Sequence, residues 1–131
     1  MALEIQSIRV GKNRFDYIVE VDSEEVLKAV TPNYDLLKKV ETRGVIVTAR
    51  SSSGRYDFVS RFFAPRVGVN EDPVTGSAHC CLGPYWSGKL NKGELVAYQA
   101  SDRGGILKVR PQGDRVYISG KAVTVLRGEL V

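Results

Sequence analysis

The hydrophobic positions change period along this chain, and each change marks an element. Phe15 to Val21 (FDYIVEV) alternates apolar and polar residues with a period of two, which predicts a half-buried strand. Glu4 to Val10 reads as a strand before it, across a Gly11-Lys12-Asn13 turn. Asp22 followed by Glu25 has capping-box spacing and opens a short helix ending near Val30. Thr31-Pro32 then supplies a cap and a first-turn proline for a helix over Asn33 to Glu41. Its inward stripe is Leu36, Leu37 and Val40, and Gly44 lies just past its end. Val45 to Ala49 (VIVTA) is a continuous, β-branched run that predicts a central strand, joined through Ser51-Ser52-Ser53-Gly54 to a strand over Tyr56 to Phe63.

The stretch from Arg61 to Trp86 changes character three times. An apolar, aromatic strand stops at Pro65 and gives way to a Gly/Asn/Asp/Pro loop, which becomes a helix near Gly76. Strand, polar loop and helix N-terminus in that order suit an anion. The first amides of a helix lack internal acceptors, and the aligned peptide dipoles place about half a positive charge there. Thr75 or Ser77 can cap this helix, and Gly76 lets a ligand approach the backbone. Ala78, Cys81, Leu82 and Tyr85 share one helical face, which Cys80 and Trp86 widen until little polar surface remains. A helix that apolar is expected inside a shell of strands, bent where Gly83-Pro84 removes a hydrogen bond.

Beyond it, Glu94 to Ala100, Gly105 to Val109, Arg115 to Ser119 and Ala122 to Leu126 read as four strands, separated by Gly-rich breaks of hairpin type. The whole is an α+β architecture: a mixed, mostly antiparallel sheet around one buried central helix, with two surface helices.

Composition narrows the function. The 131 residues amount to one domain, spanning 1–131, large enough to hold a core without staples. Nineteen Lys and Arg against fifteen Asp and Glu leave a net charge of +4, scattered rather than blocked, which favours anionic ligands and argues against nucleic acid. The N-terminus has no signal-peptide layout and no run approaches the apolar length of a membrane span, so the expectation is a cytoplasmic protein without a membrane partner. The two cysteines, Cys80 and Cys81, are adjacent, so neither a disulfide between them nor Cys/His metal spacing is expected.

The segments YDFVSRFFAP (Tyr56 to Pro65), EDPVTGSAHC (Glu71 to Cys80), PYW (Pro84 to Trp86), Q-x-S-x-RGG (Gln99 to Gly105) and V-x-I-x-GKAV (Val116 to Val123) together carry a likeness over nearly the whole chain. It resembles the C-terminal half of the phenazine-biosynthesis-like (PhzF-like) isomerase family, whose fold is that of diaminopimelate epimerase. The resemblance implies two pseudo-symmetric halves, each wrapping a sheet around a central helix, with the active site in the cleft between them. It implies a cofactor-independent proton shift within a cyclic amino acid, with no metal. Mapped onto this sequence, Asp72 is the acidic substrate contact, Ser77 the hydrogen-bonding serine, and the Gly76 and Ser77 amides take the carboxylate, with Thr75 beside them. The family's proton-transfer glutamate belongs to an N-terminal half near a motif that this sequence does not contain. By the resemblance, the chain is half of a cleft that needs a second copy or the missing half as partner, and no turnover is expected from it alone.

Each candidate also has a plainer reading. Asp72 before Pro73 can be a turn former, and Ser77 only a cap. His79, the sole histidine, and Glu71 are possible acid/base groups, although His79 lies on a buried helix and adjacent residues such as Glu71 and Asp72 seldom point the same way. Arg103 can reach the cleft or stay solvated in its turn. Epimerases of this fold use a thiol just before the helix; Thr75 stands there, and Cys80 and Cys81 lie further on, where burial is expected to keep them protonated and inert. Two-base racemisation is therefore disfavoured. From another class, the rival is a non-catalytic interaction or dimerisation module that keeps the fold without the base.

Overall fold

A computed structural model describes residues 7–131, so Glu4 to Gln6 of the first expected strand lie outside the described residues. β1 (Ser7–Lys12) pairs antiparallel with β2 (Asp16–Val21). Of the expected Gly11-Lys12-Asn13 turn, Gly11 and Lys12 belong to β1 and Asn13 makes the turn, its Oδ1 accepting from the amides of Phe15 (2.8 Å) and Asp16 (2.7 Å).

α1 (Glu24–Ala29) is capped by Ser23 and not by Asp22: Ser23 is the residue with extended backbone, and its Oγ accepts from the Val26 amide at 3.2 Å. The helix expected over Asn33 to Glu41 is a single turn, α2 (Tyr34–Leu37), capped by Asn33. Tertiary bonds override local propensity there, as the Arg43 amide and the Thr42 hydroxyl both donate to the Phe15 carbonyl at 3.0 Å and draw the chain into the sheet. Of its stripe Leu37 is buried, Val40 half-buried and Leu36 exposed.

Gly44 opens β3 (Gly44–Arg50) instead of ending a helix. β3 runs parallel to β2 and antiparallel to β4 (Phe58–Ala64). A 3-10 turn (Pro65–Val67) and a short strand, β5 (Val69–Glu71), occupy what sequence reading makes a plain loop. α3 (Gly76–Leu90) follows and runs on through Pro84. β6 (Leu95–Gln99) then lies parallel to β4, and two hairpins add β7 (Gly105–Gln112) and β8 (Arg115–Ser119). The result is an eight-stranded mixed sheet in the order β1-β2-β3-β4-β6-β7-β8, with β5 on β4. The expected strand over Ala122 to Leu126 is not formed: residues 120–131 have no regular structure, and Val123 and Val125 are 86% and 92% exposed. Strand propensity is present in AVTVL, but a strand also needs a neighbour to pair with.

The sheet carries a core on each face. Val21, Leu27, Val47, Val59 and Phe63 bury α1 and α2 on one side. On the other, α3 sets Ala78, Leu82 and Trp86 against Ile46, Phe58 and Leu95, and the Trp86 ring stacks on Phe58 at 5.8 Å. Side chains of that size contribute about 1.5–3 kcal/mol each on burial, which makes this face the anchor of α3. Opposite, Gly76, Ser77, Cys80, Pro84 and Gly88 are exposed. Cys80 is therefore not buried as expected, Cys81 and Tyr85 are only half-buried, and α3 is apolar toward the sheet rather than all round.

Candidate functional site

Thr75 stands at the N-cap of α3 with extended backbone, yet its side chain makes no capping hydrogen bond. Its hydroxyl instead donates to Asp72 Oδ2 at 2.5 Å. Gly76 and Ser77 are exposed, and a Cβ placed on Gly76 would meet nothing within 4 Å. An uncapped helix start, open space beside it and a carboxylate three residues before the cap are thus brought together. The amides favour an anion and the carboxylate a cation or a hydrogen-bond donor, a pairing suited to a zwitterion.

The loop that presents Asp72 is fastened on both sides. The Asp72 amide donates to the Phe62 carbonyl at 3.0 Å, and its own carbonyl accepts from Gln99 Nε2 at 2.7 Å. Gln99 also takes the Thr75 amide on Oε1 at 2.7 Å and reaches Thr75 Oγ1 at 3.1 Å. Gln99 opens the Q-x-S-x-RGG motif, whose pattern alone assigns it no role. The signal is nevertheless there, because the alternation in LVAYQ puts Leu95, Ala97 and Gln99 on the buried side of β6 and leaves a polar group at a core position.

Other candidates are drawn elsewhere. Glu71 forms a two-pronged ion pair with Arg61 (2.8 and 2.9 Å), and Arg61 Nη1 donates to the carbonyls of Leu27, in the last turn of α1, and of Val30, its C-cap. Glu71 is thus part of a fastening between β4, β5 and α1. His79 is fully buried, stacks on Phe58 and donates from Nδ1 to the Thr75 carbonyl at 2.7 Å. Burial pulls its pKa below the usual value, only partly opposed by that carbonyl, so the ring is neutral near pH 7. Arg103 is exposed in the turn before β7. No group of three or more metal-ligating side chains occurs among the described residues, and no helix among them is long and apolar enough to cross a membrane.

A row of buried polar residues runs under α3. Glu20, Thr48, Ser60 and Gln99 are successive register partners on β2, β3, β4 and β6. Thr48 Oγ1 accepts from Trp86 Nε1 at 3.0 Å, and Glu20 accepts from Tyr85 and from Lys89 (2.6 and 2.7 Å). Burial raises the Glu20 pKa, but the Lys89 and Tyr85 hydrogen bonds outweigh it and keep the carboxyl below its usual range. Burial and Glu20 together push the Tyr85 hydroxyl up to about 12. The row fixes the height and rotation of α3, and with them the position of its first turn. An open concavity of about 580 Å³ lies apart from these residues, over Thr31, Asn33, Tyr34, Lys38 and Asn70.

Known proteins align with this arrangement along almost its whole length. Residues 2–128 match the family described as phenazine biosynthesis-like protein. Over 129 residues the chain is 64% identical to an uncharacterized isomerase of Halalkalibacterium halodurans, covering 98% of this chain and 49% of that protein. It is 46% identical over 121 residues to the human phenazine biosynthesis-like domain-containing protein, covering 85% of this chain and 42% of that one. A crystal structure of a phenazine biosynthesis protein of the PhzF family from Enterococcus faecalis superposes with a TM-score of 0.86 at 43% identity, over 91% of this chain and 45% of that one. The chain spans about half the length of the relatives it matches. On its matched length, its identity to these relatives and its shared fold, the chain belongs to the phenazine biosynthesis-like (PhzF) family.

Proposed function

We propose that this chain is one half, a single domain over residues 1–131, of a cofactor-independent isomerase with a diaminopimelate epimerase-like fold. The Gly76 and Ser77 amides hold the carboxylate of a small cyclic amino acid, the Ser77 hydroxyl adds a hydrogen bond, and Asp72 accepts from the substrate amine. Held at both ends, the ring presents one C–H toward a base, and orientation of that kind is a large part of what an enzyme supplies to a proton shift.

One observation carries this reading: the N-cap hydroxyl is bonded to Asp72 and leaves the first turn of α3 uncapped beside open space. Helix starts are normally closed by such a hydroxyl, worth about 0.5–2 kcal/mol, so an open one beside a carboxylate suits a ligand that supplies both a negative and a positive group.

Neither Glu71, paired with Arg61, nor His79, buried against Phe58, is free to take a ring proton. The base is assigned to a second half that closes the cleft over α3 in the cytoplasm, with the sheet curling around the helix. The exposed apolar tail, including Val123, Val125 and Leu126, supports such a cover from the other half or from a second copy. Isothermal titration with cyclic amino acids is expected to show weak binding to the chain, weakened further in Asp72→Ala. Heats equal to dilution for both proteins would remove the reading.

A further inference from the structure

Gln99 holds the turn before α3 in an arrangement that keeps Thr75 from capping its own helix, and we propose that it is a positioning residue for the Asp72 site. It is 1% exposed on β6, and all of its amide is committed to the turn before α3. Oε1 accepts from the Thr75 amide at 2.7 Å, while Nε2 donates to the Asp72 carbonyl at 2.7 Å and to Thr75 Oγ1 at 3.1 Å. The partners fix the orientation: a flipped amide would set donor against donor at the Thr75 N–H. With one lone pair of Oγ1 taken by Gln99, the hydroxyl proton turns to Asp72 Oδ2 and the oxygen lies away from the Ser77 and Ala78 amides. His79 completes the grip by holding the Thr75 carbonyl at 2.7 Å. Every polar group of Thr75 is thus held, and the cap that threonine ordinarily provides is withheld.

Gln99 touches no ligand in this arrangement. It acts through Thr75, and does so twice: it aims the Asp72 carboxylate, and it leaves the helix amides unoccupied. Without it, the Thr75 hydroxyl is free to swing onto the Ala78 amide, closing the turn and releasing Asp72.

The test uses the whole chain and two readouts, one of which needs no ligand. The Thr75 χ1 rotamer is measured from three-bond couplings, and acetate is titrated while the Ser77 and Ala78 amide resonances are followed. Gln99→Leu is expected to turn Thr75 to the capping rotamer and to weaken acetate binding by about tenfold, the scale of one cap hydrogen bond. Thr75→Val added to Gln99→Leu is expected to restore acetate binding to within about twofold, since valine cannot cap. A general loosening of the turn would not be repaired that way. Where the leucine variant does not fold, Gln99→Glu keeps the acceptor for the Thr75 amide, removes both donors, and is expected to release Asp72 in the same rotamer comparison. An unchanged Thr75 rotamer in these variants, or acetate binding that Thr75→Val fails to restore, overturns the role of Gln99. The affinity arm rests on the anion reading above: acetate that moves neither amide in the unaltered chain sinks that reading, while the rotamers still decide the role of Gln99.

Discussion

Glu71 and Asp72 are neighbours in sequence whose carboxylates serve opposite sides of the sheet. Glu71 turns toward α1, where Arg61 holds it at 2.8 Å, and Asp72 turns toward α3, where the Thr75 hydroxyl holds it. The division predicts opposite consequences. Glu71→Gln breaks a largely buried pair and leaves Arg61 partly unmatched, so it is expected to lower stability by about 1–3 kcal/mol in urea denaturation while leaving ligand binding intact. Asp72→Ala is expected to lose binding and change stability by less than about 1 kcal/mol, being a surface-side acceptor. Exchange of those two outcomes between the variants would contradict the assignment.

Gly76 separates binding from folding more cleanly still. A methyl there meets no protein atom within 4 Å, so Gly76→Ala is expected to leave the urea midpoint unchanged or slightly raised, since alanine is the better helix residue by up to about 1 kcal/mol. The same methyl stands where a carboxylate must approach the amides, and the affinity for a small carboxylate is expected to fall about tenfold, or about 1.4 kcal/mol. Calorimetry on both proteins decides it, and equal affinities would place the ligand elsewhere.

His79 gives the fold a pH dependence of predictable sign. Burial lowers its pKa in the folded chain, so between that value and about 6.5 the unfolded state binds more protons than the folded one. Stability from this group is complete above pH 6.5 and declines as pH falls through that window. His79→Asn, which can still donate to the Thr75 carbonyl, is expected to abolish the decline. A second loss is expected below about pH 4.5, where Glu20 and Glu24, held low against burial by Lys89 and Lys28, take up protons. Denaturant midpoints across pH 4 to 8 measure both, and a flat profile for the unaltered chain would contradict a buried neutral imidazole.

Much of this arrangement was legible in the residues themselves. VIVTA became the all-buried centre of β3, the alternation in DYIVEV became β2, and the break at Thr75-Gly76 became the first turn of α3. Patterns that needed a partner were harder to read. Ser23 took the cap from Asp22 because the backbone is extended at Ser23, a choice two adjacent cap-forming residues leave open. AVTVL has the composition of a strand but pairs with no strand among the described residues. Cys80 is expected to be buried because a run of apolar residues conceals which side of a helix meets the sheet, and α3 leaves the side that carries Cys80 exposed. Gln99 could be placed on an inward face, but its bonds to Asp72 and Thr75 join positions 24 to 27 residues apart and follow only from the parallel pairing of β4 and β6.

The exposed tail predicts association. Val123, Val125, Leu126 and Leu130 are each at least 85% exposed, an apolar surface that a strand-forming segment covers by pairing. Light scattering on the purified chain is expected to give a mass above that of one chain at micromolar concentration, shifting toward monomer when residues 121–131 are removed. A monomer at all concentrations, with or without the tail, would contradict a cover over this face.

The most direct test of the central assignment is to follow the backbone amides of isotopically labelled chain while a cyclic amino acid is added. An open turn predicts saturable shifts concentrated at Gly76 and Ser77, abolished in Asp72→Ala. Shifts gathered instead around Tyr34 and Lys38, in the concavity beside α2, or none at any residue, would contradict it.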